Sequence, residues 1–176
     1  MSVPNAPDGY ATVNPMIITT DADGVAQFVI EVFGGEKRSE ARTIDEDGLV
    51  LQAEVRVGTT TLMFAERKPD WPFTPSLLQV YVVDLDTVLE RATARGATLI
   101  TKPTDFFGTR FARVQDASAN LWWIWQHGEA DWSEGESDWT VEGSDGGWGE
   151  ISAELAYIHD TLISAMKGLR DPREDR

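Results

Sequence analysis

The stretch Leu77–Gln126, LLQVYVVDLDTVLERATARGATLITKPTDFFGTRFARVQDASANLWWIWQ, decides the fold, because it repeats an order of elements already present between Ala11 and Glu66. Its apolar pattern predicts a strand, an acidic helix start, a helix that ends at Gly96, and three more strands. The predicted elements are a strand at Leu77–Val83, a helix at Thr87–Arg95, and strands at Ala97–Thr101, Thr109–Gln115 and Leu121–Gln126. This half of the chain is therefore predicted to be β-α-β-β-β.

The first copy shows the same order. A strand is predicted at Val13–Thr20, followed by a helix that starts after Asp21 and ends at Gly34-Gly35. The helix carries apolar residues at helical spacing, namely Val25, Phe28, Val29, Val32 and Phe33. Three strands follow, of which the first has the weakest pattern: Glu36–Ile44, Leu51–Val57 and Thr61–Glu66.

A single four-stranded sheet with an uncovered apolar face is only marginally stable, and two such halves can cover each other. The sequence therefore predicts an α+β fold in which two βαβββ modules form curved sheets around a shared cavity. The expected domain covers residues 11–127, with modules at about 11–66 and 77–127. An acidic, tryptophan-containing linker is expected at 128–148.

A C-terminal amphipathic helix is expected at 149–170. Its apolar stripe is formed by Ile151, Leu155, Ile158, Leu162, Met166 and Leu169. Such a stripe must be buried against the helix's own domain, against a second copy of the chain, or against another protein. A homodimer is one expected outcome, and a protein-interaction module that uses this helix is another.

The composition limits the possible locations and partners. The chain has 176 residues and no cysteine, so disulfide and thiolate chemistry are excluded. The N-terminus shows no signal-peptide pattern and no apolar run has the length of a membrane span, which predicts a cytoplasmic protein with no membrane partner. The net charge of −15 argues against nucleic acid as a partner.

The repeated stretch resembles the vicinal oxygen chelate superfamily, also called the glyoxalase/bleomycin resistance/dioxygenase superfamily, and looks closest to its PhnB-like branch. The matching residues in the second half are Asp84-x-Asp86, Glu90-Arg91-Ala92, Gly96-Ala97, Gly108-x-Arg110, Asp116 and Trp122. In the first half they are Phe33-Gly34-Gly35-Glu36 and Val57-Gly58. The resemblance covers about residues 11–127 and implies the fold more firmly than any one activity.

Enzymes of this superfamily hold a divalent metal with ligands on the first and last strand of each module. Transferring this pattern onto the chain places the four positions at Asn14, Met63, Leu77 and Trp123. None of these is a good donor for a hard divalent ion, and a shift of one residue does not improve the set. The expectation is that the protein holds no metal and no cofactor, and this favours a non-enzymatic role.

Aromatic and apolar residues are expected to line the cavity instead. The predicted ligand-binding residues are Asn14, Met63, Gln79, Tyr81, Arg110 and Trp123, with Arg113 beside them on the same strand. Arginines at these positions can bind a carboxylate or phosphate, or can pair with surface acids. The alternative is that the large side chains fill the cavity and leave no room for a ligand.

The leading hypothesis is a metal-free protein that binds or sequesters a small organic molecule, aromatic or cationic in character. The first alternative is a metal-dependent lyase, isomerase or dioxygenase with atypical ligands. The second alternative is the protein-interaction module described above.

Overall fold

The computed structural model describes residues 6–106, 108–128 and 153–174. The strands are β1 (Met16–Thr19), β2 (Glu36–Lys37), β3 (Thr43–Ile44), β4 (Val50–Val57), β5 (Thr60–Glu66), β6 (Leu77–Val82), β7 (Thr98–Phe106), β8 (Thr109–Gln115) and β9 (Leu121–Gln126). The helices are α1 (Ala22–Phe33), α2 (Leu85–Ala94) and α3 (Ala153–Gly168), and a 3₁₀ turn covers Ser39–Ala41.

The strands form two sheets of the same topology. The first sheet has the order β1-β5-β4-β2, with β3 also paired to β4, and the second has the order β6-β9-β8-β7. In both sheets the first strand of the module runs parallel to the last one, and the remaining pairs are antiparallel. The predicted α+β fold with two βαβββ modules and a C-terminal helix is confirmed.

Side-chain caps fix the starts of the two module helices. The Asp21 carboxylate accepts a hydrogen bond from the Gly24 amide at 2.7 Å, and the Asp84 carboxylate accepts one from the Thr87 amide at 3.1 Å. Because Asp84 is the cap, α2 begins at Leu85, two residues before its predicted start.

Three strands differ clearly from the sequence prediction, and the first is β1, which begins at Met16 and not at Val13. The predicted strand Glu36–Ile44 is divided into β2, the 3₁₀ turn and β3, because its charged, exposed residues offer no apolar face that would hold a long strand on the core. Strand β7 is longer than predicted and continues past Pro103, where the register with β8 shifts. Proline is tolerated there because β7 is an edge strand, in which one amide needs no partner.

The two modules share one hydrophobic core, formed by α1, α2 and the sheet faces that carry them. Trp122 of β9 is fully buried in this core, with its ring centroid 5.8 Å from that of Phe28 and 5.1 Å from that of Phe33, both on α1. The modules therefore meet through their helix-bearing faces. We call the opposite face of each sheet its outer face.

Helix α3 docks on the outer face of the second sheet of its own chain. The Thr161 hydroxyl lies 2.8 Å from that of Thr101, and the Tyr157 hydroxyl accepts a hydrogen bond from the Lys102 amide at 2.9 Å. The tail that follows α3 is held at residue 67, where Arg67 donates two hydrogen bonds to Asp171 at 2.6 and 2.8 Å. Of the three expected docking modes, residues 153–174 show the one within a single chain.

The linker expected at 128–148 falls, apart from Gly128, outside the described residues, as do the first four residues of the helix expected at 149–170. The domain boundaries therefore stay a prediction. In the part of the chain that the structure describes, no helix combines the length and apolar character required to cross a membrane.

Candidate functional site

One row of side chains crosses all four strands of the second sheet on its outer face. In the strand register Gln79 lies opposite Trp123, Trp123 opposite Arg113, and Arg113 opposite Thr101. Alternation along a strand places every second residue on one face, so these four share the face opposite to α1 and α2. The sequence therefore brings an amide, an indole, a guanidinium and a hydroxyl into one line.

Arg113 is the most enclosed member of this row, with only 2% of its surface exposed. Its guanidinium carbon lies 4.1 Å from the centroid of the Trp123 ring and 5.1 Å from that of the Phe111 ring. One of its terminal nitrogens donates to the Thr101 hydroxyl at 3.1 Å and to the Ile158 carbonyl of α3 at 2.7 Å. Burial lowers the pKa of Arg113 to about 10, so the group remains a cation at neutral pH.

A depression of about 280 Å³ lies at the other end of the row. Its lining residues are Leu77, Leu78, Gln79 and Trp123. The Gln79 amide nitrogen donates to the Tyr81 hydroxyl at 2.8 Å, so both polar groups lie next to the apolar wall. A flat aromatic wall with a few polar groups at its edge is typical of small-molecule sites.

The neighbouring row on the same face is also aromatic. Tyr81 lies opposite Trp125, and Trp125 lies opposite Phe111. The Trp125 and Phe111 rings are stacked, with centroids 4.6 Å apart and planes inclined by 18°. These pairs fix the position of the aromatic rings beside Trp123 and Arg113.

The structure places Asn14 and Met63 away from this depression. Asn14 precedes β1, and its side-chain amide bonds both to the amide and to the carbonyl of Ala11, at 3.0 and 2.8 Å. Met16, rather than Asn14, lies opposite Met63 in the first sheet. Sequence reasoning missed Met16 because the transferred pattern placed the first-strand position two residues too early, at Asn14, just as it placed Leu77 two residues before Gln79.

Arg110 lies on the helix-bearing face of β8. Its guanidinium pairs with Asp86 of α2 at 2.7 Å, and the pairing raises the pKa of Arg110 further. The strand alternation separates Arg110, Ala112 and Val114 from Phe111 and Arg113, and this signal was present in the sequence. Arg113, which the sequence analysis placed beside Arg110, is the arginine that contacts Trp123.

The residues at the expected metal positions do not fit a hard divalent ion. The register corrects two of the four expected positions: Met16, not Asn14, lies opposite Met63, and Gln79, not Leu77, lies opposite Trp123. These four residues offer two thioethers, one amide and an indole, so the Gln79 amide oxygen is the one donor that suits such an ion, too few to hold it. Among the described residues, no group of three or more His, Cys, Asp or Glu side chains is placed to hold a metal.

A larger cleft of about 370 Å³ lies between α1 and β4, on the helix-bearing face of the first sheet. Four of its five charged side chains are paired with each other: Arg42 pairs with Asp23 at 2.7 Å, and Arg38 lies 3.8 Å from Glu54. Because these charges are paired and no aromatic side chain lines the cleft, the depression beside Trp123 is the better candidate for a ligand.

Comparison with known proteins gives one family match. The family model described as Glyoxalase/Bleomycin resistance protein/Dioxygenase superfamily matches residues 11–124. A search among proteins of curated function found no match.

Solved structures of similar fold include TioX from Micromonospora sp. ML1, with 24% identity and a TM-score of 0.52 over 65% of this chain and 98% of that one. A glyoxalase/bleomycin resistance protein/dioxygenase family enzyme from Burkholderia phytofirmans PsJN shows 21% identity and a TM-score of 0.54, over 63% and 94% of the two chains. TnmS3, an antibiotic binding protein from Streptomyces sp. CB03234, shows 20% identity and a TM-score of 0.51, over 64% and 91%. At these identities the similarity establishes the fold.

Proposed function

Because the chain belongs to the glyoxalase/bleomycin resistance protein/dioxygenase superfamily, we propose that it binds or sequesters a small aromatic molecule on the outer face of its second sheet, without a metal. The observation that carries this proposal is the row from Gln79 to Trp123 beside a depression of about 280 Å³. TnmS3, which has a similar fold, is an antibiotic binding protein, and this supports a binding role for the present chain.

The location and the branch of the family belong to the same proposal. The motifs Asp84-x-Asp86 and Gly108-x-Arg110 favour the PhnB-like branch. A cytoplasmic location is proposed together with the binding role. Neither feature alters the chemistry of the site.

Trp123→Ala tests the binding role. We expect it to weaken binding of an aromatic ligand by roughly 1 to 3 kcal/mol, about 5-fold to 150-fold, because the ligand loses a stacking wall and buried apolar contact. Isothermal titration calorimetry of the full chain measures this directly and does not depend on the indole signal.

Trp71→Ala is the matched control, since Trp71 is a half-exposed tryptophan that does not line the depression. Its affinity for the same ligand should equal that of the wild type. If the wild type, Trp123→Ala and Trp71→Ala all bound the ligand with equal affinity, the depression would not be the binding site.

A second expected result concerns metal. Because Met16, Met63, Gln79 and Trp123 occupy the ligand positions, purified protein should contain no stoichiometric zinc, nickel, manganese or iron, and adding these ions should leave the melting temperature unchanged. Elemental analysis that finds close to one tightly held metal per chain would contradict the metal-free proposal and revive the enzyme alternative.

We also propose a homodimer. The outer faces expose apolar side chains that a second copy can cover, among them Met16, Leu77 and Tyr81, exposed by 50%, 47% and 65%. Light scattering should report twice the chain mass of 19.5 kDa. A single-chain mass at micromolar concentration would contradict the homodimer.

A further inference from the structure

The arginine at the centre of the row has no carboxylate partner in the described part of the chain. Arg67, the other buried arginine among the described residues, is paired with Asp171, whereas described arginines that bond only to carbonyl oxygens, such as Arg56 and Arg170, are not buried. The chain offers 30 acidic residues, twice its 15 basic ones. Arg113 is nevertheless bonded only to the neutral oxygens of Thr101 and Ile158.

This arrangement leaves the guanidinium incompletely satisfied. The Arg113 Nε atom is buried and has no hydrogen-bond acceptor among the described residues. A buried cation without a counter-charge is costly, and a charged acceptor binds a guanidinium about twice as strongly as a neutral one. The site is therefore preorganised for an anion that the described residues do not supply.

We propose that Arg113 is the anion-binding group of the ligand site, that the ligand is an aromatic molecule bearing a carboxylate, and that the Ile158 carbonyl of α3 holds the place of this carboxylate when no ligand is bound. This inference rests on the proposed function. A carboxylate is the anion chosen because its two oxygens match the planar fork of a guanidinium, and because Trp123 provides a wall for the attached ring.

The same geometry disfavours a cationic ligand, the other class that the sequence suggested. The guanidinium of Arg113 already lies 4.1 Å from the Trp123 ring centroid, so the protein itself makes the cation–π contact of this indole. A second cation on that ring would be repelled by a like charge a few ångströms away in a poorly hydrated site.

Helix α3 covers Arg113 only shallowly. Ile158 is its only fully buried residue, whereas Tyr157, Ile163 and Met166 are exposed. Its polar contacts to the sheet include those made by Tyr157, Ile158 and Thr161. A carboxylate that binds Arg113 more strongly than the Ile158 carbonyl does can therefore displace this part of α3 at modest cost.

The test compares matched ligands that differ only in charge. Each of three ring systems, benzene, naphthalene and anthracene, is titrated into the full chain as its carboxylate, its primary amide and its aminomethyl derivative. For the ring size that fits, we expect the carboxylate to bind at least 10-fold more tightly than the amine, with the amide between them. A carboxylate that binds no better than the amine overturns the inference while leaving the proposed function intact, and the failure of all nine compounds to bind overturns both.

Variants of Arg113 and Arg110 show which arginine causes the preference for the carboxylate ligand. Arg113→Met should remove the preference for the carboxylate and leave the amide affinity nearly unchanged. Arg110→Met, on the opposite face of the same strand, should keep the preference. Arg113→Lys retains the charge without the planar fork and should retain only part of the preference, which keeps the test available if Arg113→Met does not fold. An unchanged preference in both Arg113 variants would overturn the role of this residue.

A separate experiment tests whether α3 competes with the ligand for Arg113. Tyr157→Phe removes the hydrogen bond from the Lys102 amide and leaves Thr101, Ile158 and Arg113 unchanged, so it loosens α3 and should tighten binding of the carboxylate severalfold. Saturating carboxylate should also speed tryptic cleavage at Lys167 and Arg170, because the helix is displaced. Unchanged affinity together with unchanged cleavage would mean that Ile158 does not compete with the ligand, and this part of the inference would fail.

Discussion

Trp122→Ala is expected to lower the free energy of unfolding by about 3 to 5 kcal/mol, the range for removing a large aromatic side chain from a packed core. Trp122 is fully buried and its ring contacts Phe28 and Phe33 of the other module. Its indole nitrogen also donates to the Asp116 carboxylate at 2.9 Å, so the substitution leaves a cavity and removes a hydrogen bond. Urea unfolding followed by circular dichroism measures the change.

The next residue provides the control for this prediction. Trp123 lies on the outer face, half-buried, so Trp123→Ala should cost clearly less stability while it weakens ligand binding. The two substitutions therefore separate a residue that joins the modules from one that faces the ligand. An equal loss of stability in both variants would mean that the outer face is a closed core, as in the filled-cavity alternative.

Asp116→Ala is expected to destabilise the protein by roughly 2 to 4 kcal/mol, because several donors lose their acceptor and each such buried group costs about 1 to 3 kcal/mol. The carboxylate accepts hydrogen bonds from the amides of Ser118 and Asn120 at 2.9 and 3.0 Å. It also accepts from the side chains of Asn120 and Trp122 at 3.0 and 2.9 Å. The carboxylate thus holds the turn between β8 and β9 onto the core. Chemical unfolding monitored by circular dichroism gives the loss.

A second substitution in the same turn serves as the comparison. Ala119 has a positive φ of 66°, a backbone conformation that glycine adopts without strain. Ala119→Gly should therefore remain within about 1 kcal/mol of the wild type. If both turn variants lost similar stability, the shape of the turn and not the carboxylate would be the cause.

The sequence predicted best where a pattern reports on a single element. The alternation along Thr109–Gln115 and Leu121–Gln126 gave the bounds of β8 and β9, and the duplicated order gave the topology. The prediction failed for Glu36–Ile44, which has no apolar face and is divided into β2, a 3₁₀ turn and β3 instead of one strand. Alternation is enough to predict the bounds of a strand because it shows directly which face of that strand is buried.

The candidate site depended on contacts that no local pattern contains. The alternation of β8 assigns Arg113 to the face of Trp123, but it does not show that α3 covers this arginine with a backbone carbonyl from 45 residues away. The partner of Arg67 is likewise 104 residues distant. Such long-range pairs depend on how whole helices and sheets pack together. The sequence alone therefore left three possibilities for the C-terminal helix: docking within its own chain, in a dimer, or on another protein.

The parallel pairing of each module's first strand with its last has a consequence for the order in which the chain acquires its structure. Strand β1 has no neighbour until β5 has been made, and β6 has none until β9 follows, so neither sheet can close while its own segment is still being synthesised. Of the described elements, helix α3 emerges last. Arg113 therefore stays open to solvent on the growing chain after its sheet has closed, and becomes enclosed only once the tail has left the ribosome.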